Sequence, residues 1–318
     1  MFGRIACAAL LVVVVPTATE AQKPLSPVDL SLGQTERNRL SAVYDAAGIA
    51  PVRFETLEWE GDGGPLVRRL KNEKVRYTAG PDLGLHLLDA LQSEARAMGL
   101  PAGEGQGWTV RGVVDDVSLY ERRIPYGPLM FYAFLRATLE VESPAGEKGT
   151  RTYDVHDIYW RYNAGFGARD EAMEALAAFL IGSSQELVAR LNRDWFHASP
   201  AASIVNRRVG LDMLEEDEPL VREIGLAGSS GHVETLLRLL DTVSEEDERV
   251  EIINALALIG DPRASEPLQR RYSSEGEDAR FFTLKALDSI GGEARAFARE
   301  HGARDESHGC VRLAGRLE

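Results

Sequence analysis

The most reactive side chains stand near the C-terminus, in Ser307-His308-Gly309-Cys310-Val311-Arg312-Leu313. The chain has two cysteines, Cys7 and Cys310. Cys7 lies inside an N-terminal apolar run that reads as a removable secretory signal, so the mature chain would hold one thiol and no internal disulfide. Cys310 is then free for an intermolecular bond or for reaction. The remaining histidines, His86, His156, His197, His232 and His301, are scattered. Asp154, His156 and Asp157 share one predicted strand, but no second group follows at a zinc-site spacing. These histidines read as surface or hydrogen-bonded residues, and no metal or cofactor is expected. Asp115 and Asp116 form a carboxylate pair in sequence only, because neighbours on a strand point to opposite faces. A strand-end turn is expected there. Tyr153, Tyr159, Trp160, Tyr162 and Phe166 read as sheet packing or edge cover, with a binding face as the alternative. Gly165-Phe166-Gly167 has no helix start behind it to cradle a phosphate.

The tail resembles, residue for residue, the nucleophile motif of the L,D-transpeptidases that cross-link peptidoglycan. That resemblance implies Cys310 as the acyl-accepting nucleophile, His308 as its activator and Arg312 as the residue that organises the site. The surroundings depart from the family. Its motif sits late in a β-rich domain, with an upstream His-Gly further from the cysteine than His301-Gly302 is here. The residues ahead of this tail read as helices, and only Ala314 to Glu318 follow it. A nucleophile needs a fixed base and an oxyanion hole, and a fraying terminus supplies neither. The chain is therefore read as non-enzymatic, with a cell-wall enzyme using Cys310 as the alternative. Residues 304–318 are read as a flexible or helix-capping tail, or as a tether whose thiol holds a partner.

The 318 residues suffice for two ordinary domains. A net charge of −14 argues against nucleic acid and against unassisted docking on anionic lipid. The clusters Arg68-Arg69-Lys71 and Arg122-Arg123 are too short to reverse that. Arg4 followed by apolar Ile5 to Val15 has the layout of a signal peptide, since a span would need about 20 residues. Pro16 breaks the run, and cleavage is expected after Ala21 or Ala18; an uncleaved interfacial anchor is the alternative. The expectation is a periplasmic or secreted protein without a transmembrane helix after cleavage.

Between 22 and 198 the pattern predicts an α+β domain, an antiparallel sheet with helices on one face. A helix is predicted over Thr35 to Ala47 and a strand over Val52 to Trp59. Gly61 to Gly64 is a loop. A second helix carries Leu83, Leu87, Leu91, Ala95 and Met98, stopped by Gly99. Strands follow at Trp108 to Leu119, Phe131 to Val141 and Thr150 to Tyr159, with Tyr120 to Gly127 as a turn region. Ala172 to Leu191 is an amphipathic helix. Gly107-Trp108-Thr109-Val110-Arg111-Gly112-Val113-Val114-Asp115 behind a helix resembles the exported auxiliary lipoproteins of envelope transporters and secretion assemblies, over roughly residues 50–192. The lipid-anchoring cysteine of that class is missing. The resemblance implies association with an envelope complex, such as an auxiliary subunit of a lipid transporter.

Trp195 to Pro200 reads as a linker, and 199–303 as a helical repeat. Val221/Val250/Phe281, Ile224/Ile253/Leu284, Ala227/Leu256/Leu287 and Gly231/Gly260/Gly291 align as core and stop positions. A repeat of that length is a helix pair that buries its apolar face only against its neighbours. Glu215 to Pro219 and Ser244 to Glu248 are turns that start helices, with acid where the helix dipole favours it. Ala255-Leu256-Ala257-Leu258-Ile259-Gly260-Asp261-Pro262-Arg263-Ala264 resembles a HEAT repeat of the short bacterial type, over about 219–302. Residues 199–318 hold 15 Lys and Arg against 24 Asp and Glu, enough acid for a concave face that takes a basic partner. The function expected is that of an exported scaffold or adaptor for a protein partner of unknown identity.

Overall fold

The computed structural model describes residues 24–25, 27–33, 40–61, 65–69, 75–103, 106–123, 129–161, 168–209 and 218–302. The signal segment 1–21, Tyr162, Gly165-Phe166-Gly167, Glu215 to Asp217 and the tail with His308, Cys310 and Arg312 lie outside the described residues.

The strands are β1 (Pro24–Leu25), β2 (Tyr44–Asp45), β3 (Val52–Trp59), β4 (Pro65–Arg69), β5 (Val75–Ala79), β6 (Trp108–Arg123), β7 (Leu129–Glu142), β8 (Lys148–Arg161) and β9 (Ser199–Pro200). The α-helices are α1 (Leu83–Ala97), α2 (Ala168–Leu191), α3 (Ala202–Val205), α4 (Glu218–Leu226), α5 (Val233–Thr242), α6 (Glu246–Ile259), α7 (Ser265–Arg271), α8 (Glu277–Ile290) and α9 (Gly292–Gly302). Sheet-bearing elements thus come first and helices fill the C-terminal part.

β6, β7 and β8 form an antiparallel meander. Alternation puts Val110, Val114, Leu135, Ala137, Tyr153 and Val155 on one buried face. α1 and α2 pack together over it, α1 against β3 and α2 against β7 and β8. The sheet is mixed rather than wholly antiparallel. β3 and β4 both run parallel to β6 and share one of its edges, β3 beside Trp108 to Val114 and β4 beside Leu119 to Glu121. The α1 crossover returns the chain to the end from which β3 started, which is what a parallel neighbour requires.

Four local expectations are corrected. Within the predicted helix over Thr35 to Ala47, residues 40–47 are not helical. Val43 and Tyr44 donate their backbone N–H groups to the Met98 carbonyl, and Tyr44 pairs with Pro200. Tertiary partners there take the hydrogen bonds a helix would need. Tyr120 to Arg123 continue β6 as strand, because β7 supplies partners as far as Leu129. Asp115 is not a strand-end turn but a bulge: Val114 pairs with Ala137 and Asp116 with Arg136, leaving Asp115 between them. Finally, Trp195 to Pro200 is a tied segment. Residues 192–196 form a π-helical turn ended by His197 in the left-handed conformation. The Asn192 amide brackets Ala198, accepting from its N–H at 2.7 Å and donating to its carbonyl at 3.0 Å.

α4, α6 and α8 lie side by side in an inner row, with α5, α7 and α9 outside them. The inner helices are buried nearly all round over their C-terminal halves, as from Ile252 to Ile259. A helix apolar on every side belongs in an interior, and here the cover is α2 and the β8 edge of the sheet. One apolar core runs without a break from Leu25 to Ala298.

Candidate functional site

Each helix of the inner row is followed by a glycine of positive φ. Gly228, Gly260 and Gly291 stand at the ends of α4, α6 and α8 with φ of 66°, 67° and 84°. A residue without Cβ adopts these angles at no steric cost and stops the helix. At Gly228 the closing bonds run from Gly228 N to the Gly225 carbonyl and from Ser229 N to the Ile224 carbonyl, the two-bond form of this stop. Gly231 instead lies in the 3-10 turn Ser230–His232 that precedes α5. In register from the true stops, Val221, Ile253 and Leu284 correspond, as do Ile224, Leu256 and Leu287. All six are buried, as are Ala227 and Phe281, while Val250 is partly buried.

That register reveals a second set of equivalent positions that sequence reasoning missed. Arg222, Asn254 and Lys285 each stand six residues before their glycine, and all three are buried. Arg222 and Lys285 turn toward α2, where Gln185 and Glu186 meet them, and Asn254 joins through Lys285. Arg222 donates from Nε and Nη2 to Gln185 Oε1 at 3.1 and 2.8 Å, and Gln185 Nε2 donates to Glu94 of α1 at 2.9 Å. Lys285 Nζ donates to Glu186 Oε2 at 2.8 Å, to Asn254 Oδ1 at 3.1 Å and to the His156 carbonyl of β8 at 2.7 Å. Arg190 holds the other oxygen of Glu186 at 2.6 Å. Burial works against the Glu186 anion, yet Lys285 and Arg190 hold its carboxyl below the ordinary range. Burial raises Glu94, against the Gln185 bond and Arg222. The signal that could have found this seam was a polar residue recurring inside an apolar stripe.

Further ties fix the array at both ends. Ser41 donates from its backbone and hydroxyl to Glu223, and the Tyr44 hydroxyl donates to the Leu226 carbonyl at 2.6 Å. At the far end Phe281 packs edge-on against Tyr132 and His156 of the sheet, while Arg122 pairs with Glu277 at 2.7 Å. Asp261 caps the turn after α6 by accepting from Arg263 N at 2.9 Å. Arg263 in turn reaches the Ser230 carbonyl at 2.7 Å, joining successive turns.

Among the described residues these contacts cover much of the inner row with α2 and the sheet. What stays accessible is the outer side, where α5 and α7 bound a groove of about 470 Å³ lined by Glu234, Leu237, Arg238, Asp241, Arg270 and Arg271. Among the described residues one serine meets a histidine: Ser229 Oγ lies 2.9 Å from His232 Nδ1, and His232 Nε2 lies 3.0 Å from the Arg207 carbonyl. The pair is buried and closes the α4–α5 turn; its third partner is a backbone carbonyl, not a carboxylate. His156 sits between Phe134 and Phe281, and His301 stacks on Phe297. No group of three metal-ligating side chains assembles among the described residues. None of their helices is long and apolar enough to cross a membrane.

No protein-family profile matches the chain, and no curated protein matches it in sequence. Solved structures do show a likeness. A Xanthomonas campestris protein of the family DUF330 matches with 14% identity over 47% of this chain and 90% of its own, at a TM-score of 0.32. A minor lipoprotein from Acinetobacter baumannii matches with 15% identity over 36% and 88%, at 0.24. The rare lipoprotein B of Shewanella oneidensis matches with 10% identity over 45% and 96%, at 0.25. Likeness at this level conveys no activity, substrate or partner.

Proposed function

We propose that this chain is a non-enzymatic, exported protein of the cell envelope, in which a HEAT-like array fixed to a sheet layer presents its outer side to a protein partner. In this reading residues 22–198 are the sheet layer and 199–303 the array. The supporting observation is the recurrence of Arg222, Asn254 and Lys285 against α2. It gives the inner helices a fixed intramolecular partner and leaves the α5–α7 groove open. The mechanism is presentation of side chains from a rigid stack, with no covalent step. The groove alternates acid and base, Glu234 and Asp241 with Arg238 and Arg270, so its partner would be of mixed charge and its binding salt-sensitive.

The test is a photo-reactive residue placed at Leu237 in the full chain and, as control, at Leu85, which is exposed on α1. Cross-linking in cells of one defined protein from Leu237, absent from Leu85 and lost with Arg238→Glu plus Arg270→Glu, is the expected result. The same adducts from both positions, or none from Leu237, would sink the reading.

A further inference from the structure

A second cavity, of about 280 Å³, opens where the β7–β8 surface meets the ends of α2 and α8 and the side of α9. Six arginines line it: Arg136, Arg151, Arg190, Arg193, Arg295 and Arg299. In a chain of net charge −14 such a concentration of guanidinium requires a cause. Part of it is internal. Arg136 grips Asp154 with two bonds of 2.7 and 2.8 Å, Arg151 pairs with Asp194 at 2.9 Å, and Arg295 pairs with Asp288 at 2.8 Å. Arg190 shares Glu186 with Lys285.

The internal acids do not satisfy the set. Four carboxylates, Asp154, Asp194, Asp288 and Glu186, face six arginines and Lys285. Arg193 Nε shares Asp194 with Arg151, at 3.2 Å, and among the described residues the buried Arg190 Nε and Arg193 Nη1 have no hydrogen-bond acceptor. Arg299 makes no ion pair among the described residues. Arg190 and Arg193 both line the cavity, so an excess of guanidinium over carboxylate surrounds an open polar space. Arg193 Nη1 lies against Gly260, where an added Cβ would come within 2.5 Å of it.

We propose that this cavity is an anion site for a phosphate-bearing ligand. Planar guanidinium forks converging from β7, β8, α2 and α9 suit a multiply charged oxyanion better than a single carboxylate. The volume lies just below that of pockets for drug-sized molecules, about 300 Å³ upward. It therefore holds a phosphate, a diphosphate or a phosphorylated head group. The lining offers no apolar wall for an acyl chain, and the overall negative charge disfavours a polynucleotide.

The experiment is calorimetric titration of the full chain at low ionic strength with inorganic phosphate and with pyrophosphate, alongside flotation with phosphatidylcholine vesicles with and without phosphatidylglycerol. The variants are Arg299→Ala, which is exposed and leaves the core untouched, and Arg193→Met. Saturable binding of a soluble anion, weakened at least about tenfold in both variants, supports the site with a free phosphate compound as its source. Flotation only with phosphatidylglycerol, lost in both variants, supports it with a lipid head group as its source. Absence of binding in every arm overturns the proposal. So does binding that survives Arg299→Ala with unchanged affinity, which would leave these arginines as counter-charges to the ends of α2, α6 and α8.

Discussion

The α2–array seam and the arginine cavity lie within one side chain's reach of each other and use the same chemistry to opposite ends. In the seam each charged group has its partners: Lys285 makes three bonds, Glu186 is held from two sides, and Arg222 is anchored through Gln185 to Glu94. In the cavity, guanidinium groups outnumber the carboxylates that pair with them. Arg190 belongs to both. The contrast separates charge that specifies how elements dock from charge that faces outward for something else. Buried pairs contribute little net stability, whereas an excess of guanidinium around a cavity suits an external oxyanion.

The largest effect that would break this contrast comes from the seam. Lys285→Ala leaves Glu186 with Arg190 alone and Asn254 and the His156 carbonyl without their donor. Urea unfolding at pH 7 should show a loss of ~3–5 kcal/mol. A smaller loss would mean that water replaces the ammonium, and the seam would then be no more specific than the cavity.

A pH effect comes next. Asp278, at the start of α8, is pushed up to about 7 by burial, with Glu246 and Glu277 adding to it and Arg122 opposing. The folded state thus holds this proton more tightly than the unfolded one, whose value is 3.8. The contribution to stability is full below that value and lost as pH rises through about 7. Asp278→Asn removes the loss, so the variant should gain on the parent across this window, reaching ~1–2 kcal/mol above pH 7 once screening by solvent is allowed for. Parallel melting curves from pH 4 to 8 would settle it.

Two glycines give a sharper test at lower cost. Gly228 has φ of 66° and no atom near an added Cβ, so Gly228→Ala meets only backbone strain and should lose ~1 kcal/mol. Gly231 has ordinary φ and equally open space. Gly231→Ala should be neutral or gain up to ~0.5 kcal/mol through the unfolded state. Opposite signs confirm which glycine ends α4. The smallest effect belongs to the cavity: Arg299→Ala should change stability by no more than ~0.5 kcal/mol.

Much of the secondary structure was legible. Leucines at helical spacing before Gly99 located α1, and alternation located β6, β7 and β8. The parallel pairing of β3 and β4 with β6 was not legible, because pattern shows which face is buried but not which strand lies alongside. The segment 40–47 misled because its backbone partners, Met98 and Pro200, are distant in sequence. Gly231, aligned in sequence with Gly260 and Gly291, lies in the turn ahead of α5, and Gly228 carries the positive φ after α4. Apolar positions three apart occupy nearly the same helix face, so a slip of three still overlays hydrophobic on hydrophobic. Requiring Arg222, Asn254 and Lys285 to coincide would have fixed it. The arginine cavity draws on residues from 136 to 299, a set no local motif unites.

The position of Lys285 on the edge of β8 has a consequence for biosynthesis. Lys285 follows His156 by 129 residues, so the strand that supplies this carbonyl is complete long before the helix that reaches back to it. Until then the nascent sheet exposes a ready template for other extended chains. Truncation ahead of α8 should therefore yield aggregates rather than a smaller soluble product.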